Sequence, residues 1–384
     1  DRNGVYGAPR FYQAARQAGI RAIVGAEVVL DDSSRSSRAG EVRLSLLVRN
    51  RQGYRNLCRL LTAAARGRPK GEARLDWTTL EEHAEGLHCL TGGEEDLLAH
   101  TLEGVGSDAA RQLLIRLRAT FSGHLHVELQ RHHHRHEEHR NRALVALARS
   151  LRLPLAATNG VRYARPTDKN LHDILTCIRQ HTHLDAAGRL LAAHRQRHFK
   201  DAAAMNRLFA DLPSALSGAF ELSQELDFTL ADLGYRFPDY PLPPGETAGS
   251  YLRHITWNSA RSRFRPLTAR AQAQIERELA MIEKLDLAGY FLIVWDMVQF
   301  CKREGILVQG RGSAANSAVW YALAITAVDP VKMELLFERF LSEERGEWPD
   351  IDLDLPSGDQ REKVIQYVYQ RYGPHGAAMT ANVI

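Results

Sequence analysis

The run Trp348-Pro349-Asp350-Ile351-Asp352-Leu353-Asp354-Leu355-Pro356 sets three carboxylates at alternate positions among aliphatic residues, with a proline near each end. Alternation of this kind predicts a short strand, on which residues two apart point to one face. Asp350, Asp352 and Asp354 then project together, while Ile351, Leu353 and Leu355 pack into a core behind them. Like charges side by side repel, and a hard divalent ion held by oxygen ligands, normally Mg²⁺, relieves that repulsion. Two such ions about 3.5–4 Å apart can clamp the attacking and leaving oxygens of a phosphoryl transfer. The competing reading is an exposed edge strand whose solvated acids keep other strands away. The run by itself does not choose between them.

Upstream, Val308-Gln309-Gly310-Arg311-Gly312-Ser313-Ala314-Ala315-Asn316-Ser317 follows the apolar stretch Gly305-Ile306-Leu307-Val308 and precedes a helix-like run from Ala318 to Leu323. Strand, glycine turn and helix form the arrangement in which free backbone N–H groups at a helix start collect a phosphate. Gly310 and Gly312 permit a close backbone approach to the ligand. Ser313 caps the helix or bonds a phosphate oxygen, and Arg311 pairs with the charge. An ordinary turn with a capping serine is the alternative. An anion-binding turn followed shortly by an acidic strand is the more specific pattern, because nucleotidyl transfer needs both parts.

Four stretches carry a family resemblance: Gly289-Tyr290-Phe291-Leu292-Ile293-Val294-Trp295-Asp296, the Gly310-Arg311-Gly312-Ser313 turn, Leu336-Phe337-Glu338-Arg339-Phe340-Leu341, and Pro349-Asp350-Ile351-Asp352-Leu353-Asp354. In order and spacing, the chain from about Ala288 onward resembles the polymerase core of bacterial C-family DNA polymerases, the DNA polymerase III alpha subunits. The resemblance implies that Gly310, Arg311, Gly312 and Ser313 meet the incoming triphosphate. It implies too that Asp350 and Asp352 are catalytic ligands of two Mg²⁺ ions, with Asp354 their neighbour and a weaker candidate as metal ligand. Arg339 is read as a phosphate or DNA contact, or as the partner of Glu338 or Glu343.

The wording from Ser342 to Pro349 and from Val364 to Gly373 tilts the resemblance toward the error-prone branch used in damage tolerance, with the replicative alpha subunit as alternative. Primer-template DNA and deoxynucleoside triphosphates are the implied partners, and a sliding clamp and damage-tolerance accessory proteins are expected through other regions. Both ends look cut, so the chain reads as an inactive fragment whose third catalytic aspartate is expected beyond Ile384.

The amino-terminal half alternates strand-like and helix-like runs, among them Ile23-Val24-Gly25-Ala26-Glu27-Val28, Leu44-Ser45-Leu46-Leu47-Val48, Leu87-His88-Cys89-Leu90-Thr91 and Leu125-His126-Val127-Glu128-Leu129. Such alternation predicts βα units of a parallel barrel, and this half resembles the PHP domain, a distorted β/α barrel that holds a metal-dependent phosphoesterase site in some members. Asp1, Glu27 and His132 match ligand positions of that site. Arg2 stands where the family has a histidine, and Asn159-Gly160-Val161-Arg162 replaces an Asn-Asp-x-His motif. A guanidinium has no lone pair to give a metal, so no metal is expected here and the domain is read as structural. A PHP-type phosphoesterase and a non-catalytic repair scaffold are the alternatives from other function classes.

The expected fold class is therefore α/β: a PHP-type barrel over residues 1–220, then the first part of a nucleotidyltransferase-like, polymerase beta-like palm over residues 221–384. The connector is placed near residues 215–245, where Pro238, Pro241, Pro243, Pro244 and Gly245 break regular structure. Ile275, Leu279, Ile282 and Leu285 recur at helical spacing and read as core. His132-His133-His134-Arg135-His136-Glu137-Glu138-His139 lacks regular ligand spacing and reads as a solvated segment. Arg253, Arg261, Arg263, Arg265 and Arg270 are either a DNA-facing stripe or a surface helix. Cys58, Cys89, Cys177 and Cys301 are scattered, which implies neither zinc nor disulfides and fits a reducing cytoplasm. A net charge of +4 over 384 residues decides nothing about nucleic acid, and no stretch is long and apolar enough to span a membrane.

Overall fold

The computed structural model describes residues 1–31, 42–233, 238–341 and 349–379. They divide into two compact units, Asp1–Gly234 and Tyr235–Ile384.

Five strands of the first unit, β1 (Gly25–Val29), β2 (Arg43–Val48), β3 (Leu87–Thr91), β4 (Leu125–Gln130) and β5 (Leu155–Thr158), form one sheet in that order. β3, β4 and β5 run parallel, as the βα reading requires, whereas β1, β2 and β3 pair antiparallel, so the sheet is mixed. The burial of each strand carries the reason. In β2, buried Leu44, Leu46 and Val48 alternate with partly exposed Arg43, Ser45 and Leu47, the pattern of a strand with one wet face. β3 and β4 are buried at every position, the pattern of a strand covered on both faces.

The helix Pro213–Glu225 lies on β5. Gly218 makes this possible: a Cβ there would sit 2.1 Å from the Leu155 carbonyl oxygen. That contact carries the first unit past residue 220.

The second unit is mostly helical. Thr247 caps the helix Ala248–Arg263 by accepting from the Ser250 N–H, and Thr268 caps Ala269–Lys284 by accepting from the Ala271 N–H. Ile275, Leu279 and Ile282 are buried on one face of the latter, with Leu285 packed at its end. The core centres on Trp320, fully buried and stacked on Phe291 with ring centroids 4.1 Å apart. Two short strands, β6 (Gln309–Arg311) and β7 (Asp352–Asp354), pair antiparallel at its surface, and the helix Asp359–Gly376 follows. Among the described residues no helix is long and apolar enough to cross a membrane.

Candidate active site

β7 is three residues long, with Asp352 and Asp354 exposed and Leu353 between them half-buried against the core. Asp350 is also exposed but lies two residues ahead of the strand. Ile351 packs with Leu353 on the core formed by Trp320 and Phe291, and Leu355 packs beside Ile306 and Val364. The register pairs Arg311 with Asp352, Gly310 with Leu353 and Gln309 with Asp354, so the glycine turn begins immediately beyond the residue facing Asp352. Paired residues share a face, which places Arg311, Asp352 and Asp354 together.

Arg311 uses that face to bind an acid of its own chain: its Nε lies 2.6 Å from Asp354 Oδ2. Two residues assigned to phosphate and metal thus neutralise each other. Neither Asp350 nor Asp352 is in an ion pair with a described residue, which leaves both carboxylates as uncompensated oxygen donors fit for a hard cation. Behind them stands Tyr290, from the helix Ala288–Arg303. Burial first, then the charges of Asp350 and Asp352, push its phenol up. Tyr290 belongs to a motif quoted from the sequence, but nothing in its spacing announced that it would reach these acids.

The turn differs from the expected phosphate cradle. β6 absorbs Gly310 and Arg311, leaving Gly312, at φ +66°, as the residue that turns the chain into a short 3-10 segment, Gly312–Asn316. The helix that follows, Ala318–Ala322, is capped by Ser317 rather than Ser313. Its free N–H groups are already satisfied: buried Glu278 accepts from Ser317 Oγ at 2.7 Å, Ala318 N at 3.0 Å and Val319 N at 3.1 Å. Burial pushes the Glu278 carboxyl up, and these donors oppose the shift. An internal carboxylate therefore occupies the anion position at the helix start. Gly312 and half-buried Ser313 remain as the accessible part of the turn.

In the first unit, a cavity of about 510 Å³ opens near Gly93, Glu128 and Gln130, beyond the carboxyl ends of β3 and β4. Asp1, Arg2 and Glu27 line it, and Arg2 bridges to Glu27 through backbone. Three of its acids meet guanidinium groups, while Asp1, Asp96 and Glu128 accept hydrogen bonds from Gly7 N, Thr91 and Thr158. Arg43 Nη1 lies 3.5 Å from Glu27 Oε2 and also binds Glu95; Arg162 Nη2 lies 3.3 Å from Glu95 Oε2; Arg197 binds Glu94. Burial pushes Glu95 up, but Arg162, Arg43 and Arg197 outweigh it and hold its carboxyl below the usual range. Arg43 and Arg197, which dominate this charge pattern, lie outside the quoted motifs.

His132 is not among the residues lining the cavity. It is fully buried, with Nδ1 2.6 Å from Glu137 Oε1 and Nε2 3.0 Å from the Asn159 carbonyl oxygen, so protein oxygens engage both ring nitrogens. In this structure His132 is thus held by Glu137 and Asn159 and set apart from Asp1 and Glu27, which line the cavity. Burial pushes Glu137 up, but hydrogen bonds from the His132 side chain and backbone outweigh this and hold its carboxyl down at about 2. Around it, His133, His136 and His139 are exposed, while His134 stacks on His136 and His194.

The arginine stripe is largely tied down. Arg253 binds Glu276, Arg263 lies over the Tyr321 ring and donates to the Thr326 carbonyl, and Arg270 Nη1 lies 3.0 Å from Glu334. Glu338 pairs with Arg277 at 3.0 Å, while Glu343 and the rest of 342–348, the bulk of the run read as tilting toward the error-prone branch, lie outside the described residues.

Residues 250–384 match the family described as the bacterial DNA polymerase III alpha NTPase domain, and residues 1–132 match the PHP domain. An error-prone DNA polymerase of Mycolicibacterium paratuberculosis is 45% identical over 391 residues, covering 100% of this chain and 36% of the relative. Those of Mycobacterium tuberculosis and Bradyrhizobium diazoefficiens are 43% and 39% identical, again over 100% of this chain and over 36% and 33% of the relatives. The chain spans about a third of the length of these curated relatives. It belongs to the bacterial DNA polymerase III alpha family, and the relatives aligned to it are named error-prone DNA polymerases.

Proposed function

We propose that this chain supplies the acid strand and nucleotide turn of an error-prone DNA-directed DNA polymerase, which extends a primer on a DNA template with deoxynucleoside triphosphates. The observation that supports the reading is the β6–β7 ladder, whose last pair, Arg311 with Asp352, adjoins the Gly312–Ser313 turn. Asp350 lies two residues ahead of the strand, and neither Asp350 nor Asp352 is in an ion pair with a described residue. Asp350 and Asp352 are the metal and catalytic residues, and Mg²⁺ is the ion that their hard oxygen donors suit. When bound, it neutralises the triphosphate and acidifies the primer hydroxyl. The protein's own part is positional. The ladder holds Asp352 in register with Arg311; the Tyr290 phenol, kept protonated by burial and by Asp350, backs the acids; Gly312 leaves the backbone open to a phosphate.

Asp354 is assigned a structural part, as the partner of Arg311, and Arg339 is kept as a phosphate or DNA contact. The relatives' names favour the error-prone branch over the replicative alpha subunit. Work on DNA places the protein in the cytoplasm, with a clamp and accessory proteins engaged through regions outside this chain. The PHP-type unit is assigned a structural role, because arginines pair with Glu27, Glu94 and Glu95 of its cavity.

Primer extension by a full-length polymerase carrying this chain tests the proposal. Template-directed incorporation that needs a divalent ion and survives Glu27→Gln is expected. Metal-dependent phosphoester hydrolysis that disappears in Glu27→Gln would transfer the activity to the PHP-type cavity, and absence of both activities would leave a scaffold.

A further inference from the structure

At the end of the sheet away from the arginine-lined cavity, three imidazoles and a carboxylate converge. His88 is the second residue of β3, His124 immediately precedes β4, and His126 is the second residue of β4. The parallel register that pairs Cys89 with Leu125 and Leu90 with His126 sets His88 against His124 when continued by one residue. Glu225 closes the helix Pro213–Glu225, whose Leu222 packs on Leu90 and Ala156. The same Gly218 contact that seats this helix on β5 brings its last turn to the histidines, with His126 Cδ2 3.8 Å from where a Cβ at 218 would be.

Two features of the cluster fit a metal. One ligand atom each from His88, His124 and Glu225 lies within 4.8 Å of the other two. His88 Nε2 lies 2.9 Å from His126 Nδ1, and its Nδ1 is buried without any hydrogen-bond partner. A buried ring nitrogen left unpaired is costly. It is also the arrangement of a metal-bound histidine, whose second nitrogen donates to an outer partner that fixes the tautomer.

We infer that His88, His124 and Glu225 form a site for a divalent transition ion of the zinc class, with His126 as the residue that positions His88. Two imidazoles and one carboxylate are a donor set that zinc accepts. In a tetrahedral site the ligand atoms lie about 3.3 Å apart, so His124 and Glu225 need close by no more than about 1.5 Å on binding. Both are free to do so, His124 being half-buried and Glu225 exposed. The metal ties the amino ends of β3 and β4 to the last turn of the helix. Arg49 opposes it, since its charge acts on both His88 and His124.

Equilibrium dialysis of the 384-residue protein against micromolar Zn²⁺, with metal analysis and thermal melting, tests the site. One zinc per chain is expected, together with a melting temperature higher by about 5 °C or more at saturating metal. His124→Ala and Glu225→Gln, chosen because both side chains have solvent access, should each weaken binding by about ten-fold or more. Arg49→Gln should tighten it. His134→Ala/His194→Ala, which removes the other histidine cluster, should leave the stoichiometry unchanged. No zinc uptake, or uptake that survives His124→Ala and disappears in the His134/His194 double variant, would overturn the inference.

Discussion

Both units hold a cluster of acids, and the clusters differ in what answers them. In the first, Glu27, Glu94 and Glu95 each face a guanidinium from Arg43, Arg162 or Arg197. In the second, Arg311 takes Asp354 and leaves Asp350 and Asp352 to solvent. Ligand types alone therefore do not make a metal site; the surrounding charge does. Two unit charges 4 Å apart interact by about 4 kcal/mol at the effective dielectric of a protein surface, so an arginine in the shell suffices to displace a weakly held cation. Residues 1–132 match the PHP domain family, and in this unit's cavity Glu27, Glu94 and Glu95 are engaged by arginines of the same chain.

The largest expected effect lies on the uncompensated side. In a full-length polymerase carrying this chain, Asp350→Asn or Asp352→Asn should slow primer extension by about 10³-fold or more, since each removes a charge that acts in the transition state. DNA affinity by fluorescence anisotropy should change little. Near-normal extension by either variant would erase the difference between the two clusters.

On the compensated side the effects fall on stability. Glu137, held at about 2 against an ordinary 4.5, stabilises the folded protein fully above about pH 4.5 and loses that contribution as pH falls toward 2. Glu137→Gln should cost about 2–3 kcal/mol at pH 7 and little near pH 2, as read from urea melts across that range. Equal destabilisation at both ends would show that His132 and Glu137 are not the acid-sensitive pair.

Much of the fold could be read from residue pattern, because burial alone dictates it: the runs of β3 to β5, the helical stripe Ile275, Leu279 and Ile282, and the aliphatic backing of the acids. The antiparallel pairing of β1 to β3 was less accessible, since strand direction depends on long connections that periodicity does not report. Long-range partners were hidden altogether. Arg197, Glu278 and Tyr290 reach their sites from about 100, 40 and 60 residues away along the chain, and only the fold brings each to its carboxylate or helix end. Of the two parts open to Ser313, the cap falls instead to Ser317 for that reason, since Glu278 and Ser317 claim the helix start.

Smaller effects sharpen the contrast. Gly160→Asp, which returns an acid to the PHP-type motif, should not restore metal binding. A Cβ there would sit 2.6 Å from Gln130 Oε1 and 2.8 Å from Arg197 Nη1, at φ +48°, so the expected outcome is a loss of about 1–3 kcal/mol in denaturant melts. Zinc- or manganese-dependent hydrolysis in that variant would show a cavity closer to function than its arginines imply. Smallest of all, Asp354→Asn should shift stability by less than about 1 kcal/mol, because its pair with Arg311 is exposed. A loss of extension as large as that of Asp352→Asn would make Asp354 a ligand after all.

The most direct measurement is a Mn²⁺ titration of the 384-residue protein, followed by electron paramagnetic resonance, with Mn²⁺ standing in for Mg²⁺ at hard oxygen ligands. Uncompensated acids predict bound Mn²⁺ that disappears in Asp350→Asn/Asp352→Asn and persists in Glu27→Gln. Binding that persists in the double variant and disappears in Glu27→Gln would place the cation in the arginine-lined cavity and contradict the account.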